Sequence, residues 1–156
     1  MAVMINKDSE PIKDIYHRVA VLFIFYDQQT NKILVEERSD KQIFSGKKIF
    51  PGGSMEISDN NNLTRTLIRE ISEELGVLPT KFLNLEYPVI GETGAILCPF
   101  LITKWNGSIP DKVMDKGNSL KWVDLGSYEP EPESVRKIHI EVKRFITSKL
   151  LNVAQS

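Results

Sequence analysis

Residues 69–77 read Arg-Glu-Ile-Ser-Glu-Glu-Leu-Gly-Val, and they place Glu70, Glu73 and Glu74 at positions i, i+3 and i+4 of a predicted helix. Like charges at these spacings destabilise a helix, so the patch is expected to have a counter-charge. Carboxylate oxygens suit hard ions such as Mg²⁺, which is commonly bound through one or two carboxylates together with substrate phosphates. The segment therefore indicates metal-assisted phosphate chemistry.

The same helix also has an ordinary structural role. Its apolar residues recur at every fourth position and predict a face that packs on the core (Leu63, Leu67, Ile71 and Leu75, with Ile68 beside them). Gly76 follows Leu75, where a helix that ends in a left-handed residue favours glycine. A solvated amphipathic helix, with its acids opposite the core face, is the alternative to a metal site.

A glycine loop, Pro51-Gly52-Gly53, precedes this helix and directly follows the apolar pair Ile49-Phe50. Together with residues 69–77, the loop resembles the signature of the Nudix hydrolase family. That signature is a glycine, five residues, Glu, seven residues, and then Arg-Glu-aliphatic-any-Glu-Glu-any-Gly-aliphatic. Its second half matches at every defined position. The resemblance implies an α/β/α sandwich with a mixed β-sheet and the family's loop–helix–loop, formed by a single domain over residues 1–156.

The first half of the signature is spaced differently. Strict spacing would place Asn61 at the position of the first Glu and Met55 at that of the glycine, and neither residue fits. If the glycine is Gly53 instead, the residues around it match the family's common Gly-Gly-any-any-Glu run, and the loop is two residues longer. The insertion is expected within residues 58–62, whose side chains favour turns and helix N-caps. Either Asp59 then stands in for the first Glu, or no residue does.

The resemblance also implies which residues form the site. Glu70 and Glu74, with Glu73 and the carbonyl of Gly53, would bind Mg²⁺ or Mn²⁺. Arg69 lies four residues before Glu73, so it can pair with that carboxylate and orient it while Glu70 and Glu74 face the metals. Arg69, Glu73 and Glu74 are therefore the predicted catalytic residues of the helix.

In relatives of this family, a further acid from a later loop often joins the metal site or activates water. The loop that precedes Trp122 contains Asp115, which is the predicted fourth catalytic residue. Glu92, in the hairpin turn before Cys98, is the alternative. An Asp beside Lys and Gly is also a common turn former, which is the plain explanation of Asp115.

The predicted reaction is hydrolysis of a phosphoanhydride in a nucleoside diphosphate linked to another moiety. Where ADP-ribose hydrolases of the family have a proline and diadenosine polyphosphate hydrolases a tyrosine, this chain has Glu92, Thr93 and Gly94. By elimination the expected substrate is a nucleoside triphosphate, modified ones included, while ADP-ribose and nucleotide sugars stay open. A non-catalytic nucleotide sensor is a further alternative. So is an isopentenyl-diphosphate-isomerase-like enzyme, but it needs a catalytic cysteine, and Cys98 is predicted to be buried in a strand.

Composition sets the remaining expectations. A net charge of −1 over 156 residues gives no general attraction to nucleic acid or an anionic membrane, so neither is an expected partner. The partner that the resemblance implies is a small nucleotide. Lys41, Lys47 and Lys48 precede the glycine loop, where they either meet substrate phosphates or are solvated. The sequence has no secretory leader and no apolar run of roughly 18 residues, so a cytoplasmic enzyme is expected. The resemblance makes a homodimer a further expectation.

The predicted elements follow a mixed α/β order. Residues 18–26 are nearly continuous in apolar side chains, as expected of a central strand that is covered on both faces. The other predicted elements are strands at 33–36, 49–50, 82–90, 95–105 and 120–123 and a helix at 133–151. They predict a helix on each side of a mixed sheet.

Overall fold

The computed structural model of the chain describes residues 18–39, 42, 45–114 and 117–155. The helices are α1 Leu63–Leu75 and α2 Glu133–Gln155, and a short 3-10 turn, Ile57–Asp59, leads into α1. No helix in these ranges is both long and apolar enough to cross a membrane. The strands are β1 Val19–Asp27, β2 Lys32–Glu37, β3 Lys48–Ile49, β4 Gly52–Ser54, β5 Leu78–Asn84, β6 Val89–Ile90, β7 Ile96–Asn106 and β8 Ser119–Asp124.

Strand β1 is the centre of the sheet, whose order is β3-β2-β1-β7-β5. β1 is parallel to β7, and its pairings with β2 and β4 are antiparallel. β8 pairs with β2, and β6 pairs with β7. β2 pairs with β1 near Tyr26, whereas β4 pairs with β1 near Val21. The chain therefore passes from β3, which lies beside β2, to β4 between these two parts of β1. The crossing is held by Pro51, whose carbonyl accepts from the Phe23 N–H at 2.9 Å.

The side chains of β1 alternate between two cores, which explains why this strand is apolar throughout. One core packs β1 against α1 (Val21, Phe23 and Phe25 with Leu67, Ile71 and Leu75). The other packs the opposite face against α2 (Leu22, Ile24 and Tyr26 with Val135, Ile138 and Val142). Each fully buried side chain of this kind stabilises the fold by about 1.5–3 kcal/mol. The predicted α/β/α sandwich with a mixed sheet is confirmed.

The prediction of one strand over 82–90 is wrong in its bounds. Pairing with β7 begins at Leu78 and ends at Asn84, and β6 is a separate two-residue strand. Asn84 Oδ1 accepts from the Glu86 N–H at 2.8 Å, and Glu86 has a φ of 53°. An asparagine that binds the backbone two residues on favours a turn, so the ladder is interrupted here.

Strand β4 was not predicted, because its glycines lack the side chains that reveal a strand's period. Gly52 and Gly53 pair with Leu22 and Val21 of β1. A Cβ on Gly52 would lie 2.3 Å from the Val21 carbonyl oxygen, so this close approach requires glycine. The glycine loop is thus partly a strand that is fixed to the centre of the sheet.

Candidate active site

Arg69 joins the loop before α1 to the helix. Its Nε donates to Asp59 Oδ1 at 3.0 Å and its Nη2 to Asp59 Oδ2 at 2.8 Å. Asp59 is only 4 % exposed, and its Oδ2 also accepts from the Glu56 N–H and the Thr66 hydroxyl, each at 2.9 Å. The hydrogen bonds from Arg69 are the main reason that the pKa of Asp59 lies well below its usual range. Asp59 is therefore the loop acid that pairs with Arg69. That Asp59 stands in for the first Glu of the signature stays a prediction.

The longer loop lies between Asp59 and α1. Asn60 and Asn61 have φ values of 54° and 58°, in the left-handed region that asparagine tolerates better than most residues. Asn62 then caps the helix, since its Oδ1 accepts from the Arg65 N–H at 3.1 Å. These turn and cap roles agree with the insertion expected within residues 58–62.

Gly76 ends α1 as predicted. It has a φ of 67°, and its N–H donates to the carbonyls of Ile71 and Ser72. The core face of the helix is narrower than predicted, because Ile68 is 37 % exposed. The two caps set where α1 begins and ends, while the packing of Leu67, Ile71 and Leu75 on the sheet fixes its rotation and so the direction in which its acids point.

Glu70 lies against the glycine loop and is only 7 % exposed. A Cβ on Gly53 would be 2.0 Å from Glu70 Oε2, so the carboxylate occupies the space that the glycine leaves free. Burial raises the pKa of Glu70, and the charges of Glu73 and Glu56 add to this effect. Arg69, whose Nη1 donates to Glu70 Oε1 at 2.9 Å, offsets it only in part. A further positive charge would therefore stabilise the ionised form of Glu70.

The predicted pair between Arg69 and Glu73 is present, with 3.2 Å between Nη1 and Oε2. The side chain of Glu73 is 52 % exposed, so this pair contributes a few tenths of a kcal/mol at most. Glu74 is on the inner side of the same turn and is 8 % exposed. Arg69 is thus one counter-charge that the acidic patch was expected to have.

The donor atoms of this helix face suit a hard divalent cation. They are the carboxylate oxygens of Glu70, Glu73 and Glu74 and the backbone carbonyl of Gly53. Within the described ranges, no three His, Cys, Asp or Glu side chains are gathered into a group that could hold a metal ion. Arg69 binds one oxygen of each carboxylate, Oε1 of Glu70 and Oε2 of Glu73, so the other oxygen of each can face a cation.

Two of the other predicted residues, Asp115 and Lys41, lie outside the described residues. The two remaining lysines before the glycine loop are in ion pairs (Lys47 with Glu131 at 2.5 Å and Lys48 with Glu37 at 3.7 Å). Their charges are therefore partly neutralised by protein acids.

Glu92, the alternative to Asp115, is bound at the start of α2. Its two carboxylate oxygens accept from the N–H and the hydroxyl of Ser134, at 2.9 and 2.6 Å. Because α2 packs on the sheet face opposite α1, these contacts do not bring Glu92 to the acids of α1. Cys98 is half-buried, and burial raises the pKa of its thiol, as suits a structural cysteine.

A buried polar cluster was missed by the sequence analysis. Glu36 is 5 % exposed and accepts from Asn118 Nδ2 at 2.6 Å, while the same amide donates to Gln42 Oε1 at 2.7 Å. Arg38 Nη1 lies 3.3 Å from Glu36 Oε2. The sequence does contain an acid, Glu36, at the end of an otherwise apolar strand, which could have indicated a buried polar site. Its amide partner, Asn118, is 82 residues away in the chain, so the pair has no local pattern.

Comparison with known proteins supplies a family and a relative. The family model described as NUDIX domain matches residues 16–144. Over 108 residues the chain is 33 % identical to an 8-oxo-dGTP diphosphatase of Buchnera aphidicola subsp. Schizaphis graminum. That alignment covers 67 % of this chain and 79 % of the relative.

Two solved structures share the fold at low sequence identity. The MutT NUDIX hydrolase from Burkholderia pseudomallei has a TM-score of 0.65 at 22 % identity, covering 80 % of this chain and 97 % of that one. The NUDIX domain of Shewanella oneidensis NrtR, solved as a complex with ADP ribose, has a TM-score of 0.66 at 17 % identity. The superposed residues make up 82 % of this chain and 87 % of the NrtR domain chain.

Proposed function

We propose that this chain, which belongs to the Nudix family of hydrolases, is a divalent-metal-dependent pyrophosphohydrolase of nucleoside triphosphates, with 8-oxo-dGTP as the first candidate substrate. The observation that carries the proposal is the contact between the buried carboxylate of Glu70 and Gly53. It places an acidic helix face on a loop whose bare backbone a phosphate chain can approach closely. The relative named 8-oxo-dGTP diphosphatase supports the choice of substrate.

Glu70 and Glu74, with Glu73 and the carbonyl of Gly53, are the proposed ligands for Mg²⁺ or Mn²⁺. When bound, such an ion would neutralise phosphate oxygens and lower the pKa of a water, which would then lose a proton more readily and attack phosphorus. The packing of α1 on the sheet holds the inward-facing Glu70 and Glu74 in fixed positions. Fixed positions matter because most of the catalysis of phosphoryl transfer comes from placement and charge.

Arg69 is proposed to position the acids rather than to react. Its Nη1 reaches Glu70 at 2.9 Å and Glu73 at 3.2 Å, while Asp59 holds the other side of the guanidinium. Because the planar guanidinium is hydrogen-bonded on two sides, it cannot rotate freely, and so it orients the carboxylates of Glu70 and Glu73. Asp115 is the proposed further acid, which would take the proton of the attacking water.

The test is a measurement of pyrophosphate and phosphate release with Mg²⁺ or Mn²⁺ at mildly alkaline pH. The substrates are normal and modified nucleoside triphosphates, 8-oxo-dGTP among them, together with ADP-ribose, nucleotide sugars and dinucleotides. Glu74→Gln is the inactive variant, and Glu141→Gln, a change on α2 at a partly buried acid that pairs with Arg144, is its matched control. We expect metal-dependent release of pyrophosphate from triphosphates that Glu74→Gln reduces by at least about 100-fold and Glu141→Gln leaves unchanged.

Other results would change the proposal in defined ways. Turnover of ADP-ribose or a nucleotide sugar in preference to triphosphates would replace the substrate class and keep the chemistry. Unchanged activity of Glu74→Gln would remove the proposed site. Nucleotide binding without any turnover would indicate a sensor instead of an enzyme.

A further inference from the structure

The loop before β8 is closed by backbone hydrogen bonds between its two arms. The Leu120 N–H donates to the Asp111 carbonyl at 2.8 Å, and the Val113 N–H donates to the Asn118 carbonyl at 2.9 Å. Val113 is 2 % exposed and belongs to the core between the sheet and α1. The base of the loop is therefore fixed to the sheet and to this core.

The same loop contacts the end of α1 that contains Glu74. The Met114 N–H donates to the Glu74 carbonyl at 2.9 Å. Glu74 is in the last turn of α1, where the backbone carbonyls have no partner within the helix. The sulfur of Met114 lies over Gly76, since a Cβ on this glycine would be 3.1 Å from Sδ. The loop thus holds the backbone of the turn from which the Glu74 side chain projects.

Asn118 ties the loop to two other parts of the chain. Its Nδ2 donates to Glu36 Oε2 in β2 at 2.6 Å, and to Gln42 Oε1 in the segment before β3 at 2.7 Å. Asn118 is 4 % exposed and Glu36 is 5 % exposed, so water cannot readily replace either partner. One side chain therefore sets the position of the loop relative to β2 and to the segment before β3.

The direction of these hydrogen bonds follows from their neighbours. Gln42 Oε1 also accepts from the Ser39 N–H at 3.2 Å, and a backbone N–H can only donate. Glu36 Oε2 lies 3.3 Å from Arg38 Nη1, which likewise can only donate. Both oxygens are thus acceptors, and the group that Asn118 presents to them has to be a donor. The amide nitrogen of asparagine has two N–H donors, whereas an ionised aspartate would present only oxygens.

We propose that Asn118 is a positioning residue of the active site, which keeps the Glu74 carboxylate in place for a divalent cation. By tying the loop to Glu36 and Gln42, Asn118 keeps the Met114 N–H on the Glu74 carbonyl. The inference rests on the proposed function, since Glu74 is one of the metal ligands proposed there. Asn118 does not need to contact the cation or the nucleotide, because it acts through Met114 and the last turn of α1. Its loss should therefore weaken cation binding even without nucleotide.

The experiment measures the dissociation constant of Mn²⁺ without nucleotide, from the signal of free Mn²⁺ in electron paramagnetic resonance. Losing a group that orients a metal ligand typically costs about 10–100-fold in metal affinity or activity. Because Asn118 acts one contact further out, we expect Asn118→Ala and Asn118→Asp to raise the constant by about tenfold. A smaller folded fraction lowers the number of binding sites but leaves the fitted constant unchanged, so a loss of stability does not produce this result.

Two variants of Met114 test the link between Asn118 and Glu74. Met114→Pro removes the N–H that donates to the Glu74 carbonyl, so it should weaken Mn²⁺ binding as Asn118→Ala does. Met114→Ala keeps this N–H and should bind Mn²⁺ more tightly than Met114→Pro. If the two Met114 variants bind Mn²⁺ equally well, the bond to Glu74 does not transmit the effect and the inference is overturned.

Gln42→Ala is a milder change to the same tie, because it removes only one of the two acceptors of Asn118 and Gln42 is only half-buried. It should raise the Mn²⁺ constant by a smaller factor than Asn118→Ala. If neither Asn118 variant folds, Gln42→Ala decides the question, and a wild-type constant in this variant counts against the inference.

Asn84→Ala is the control for a loss of stability alone. Asn84 Oδ1 accepts from the Glu86 N–H at 2.8 Å in the turn after β5. This variant should lower the melting temperature and leave both the Mn²⁺ constant and kcat unchanged.

Two outcomes separate this inference from the proposed function. If the Asn118 variants lower the melting temperature but keep the wild-type Mn²⁺ constant and kcat, Asn118 is only a structural tie and the inference alone is overturned. If the wild type binds no Mn²⁺ and turns over no nucleotide, the proposed function fails first and the inference fails with it.

Discussion

The carboxylate of Glu70 lies on the Cα of Gly53, where a Cβ would be only 2.0 Å from Oε2. The contact links α1 to β4, and β4 is itself paired with the central strand β1. The position of the buried acid is therefore set by the sheet as well as by the helix. A side chain on Gly53 would displace Glu70 and leave most of the fold in place, because the clash is with the end of a flexible side chain.

Gly53→Ala is therefore expected to reduce activity much more than stability. A misplacement of about 1 Å at a reacting centre can lower a rate by about 100-fold, and we expect a loss in kcat of this order. The melting temperature should change by a few degrees at most. Steady-state kinetics and thermal unfolding of the same preparation measure the two effects.

Gly52→Ala is the matched control for this prediction. A Cβ at Gly52 would lie 2.3 Å from the Val21 carbonyl oxygen, which is backbone and cannot move without disturbing the sheet. This variant should unfold at a clearly lower temperature. If Gly53→Ala were instead the less stable of the two, or kept full activity, the contact with Glu70 would have no functional importance.

The pair between Asp59 and Arg69 gives a prediction about stability. Asp59→Asn removes a buried charge that accepts from two nitrogens of Arg69, and this should cost about 2–4 kcal/mol. For a chain of this length, that loss corresponds to a fall in melting temperature of roughly 5–15 °C. Asp111→Asn, an exposed change of the same kind, should leave the melting temperature unchanged.

The pH dependence of this difference follows from the low pKa of Asp59. The native state holds fewer protons than the unfolded state as pH falls below about 4, so the stabilisation is present above that pH and is lost in more acidic solution. The gap between the wild type and Asp59→Asn should therefore be constant from about pH 5 to 8 and shrink below about pH 4. A gap that does not change with pH would mean that packing, and not the ion pair, causes the difference.

How far the sequence predicted this structure depended on what each side chain reveals locally. β1 is apolar throughout, and the apolar residues of α1 recur at every fourth position. Each pattern indicates directly which faces of the element are buried, and both elements were predicted. Gly76 also has a local signature, since few other residues adopt its conformation easily. By contrast, Gly52 and Gly53 have no side chains that could indicate their pairing with β1.

The site was predictable only where it lies within one helix. Arg69 and Glu73 are neighbours by helical spacing, so their pairing followed from the sequence. The loop partner of Arg69 depends on how the two additional residues before α1 turn the chain. The sequence therefore left open whether Asp59, or no residue, stands in for the first Glu of the signature. The bond between Glu92 and Ser134 joins residues 42 apart, and no local pattern indicates it.

His139 supplies a prediction at milder pH. It is 2 % exposed on α2, its Nε2 lies 2.9 Å from the Leu125 carbonyl oxygen, and its ring packs edge-on against Tyr128. Burial lowers its pKa, and the nearby charge of Lys143 adds to this, although the bond to Leu125 opposes it. The native state therefore keeps the ring neutral at a pH where the unfolded chain, with a histidine pKa of about 6.5, is already protonated.

Stability should accordingly fall as pH drops below about 6.5, because the unfolded state then binds the additional proton. His139→Gln should flatten this part of the profile of melting temperature against pH, even if the variant is less stable throughout. The chain has one other histidine, His17, so His17→Gln is the natural control and should leave the slope intact. If the slope is lost in His17→Gln instead, His139 does not control this transition.

Asp115 gives the sharpest test of the acid expected outside α1. It lies outside the described residues, so its proposed role is inferred from its place in the loop before β8 and from the resemblance to the family. If Asp115 takes the proton of the attacking water, Asp115→Asn should lower kcat by about 100-fold or more with little change in KM. Asp111 is in the same loop, is exposed, and contacts Leu120 through its backbone carbonyl, so Asp111→Asn tests charge loss in this loop without that role. Equal and small effects of the two changes would show that Asp115 is a turn former. The proton would then have to be accepted by one of the acids of α1, and the loss of kcat should move to Glu73→Gln or Glu74→Gln.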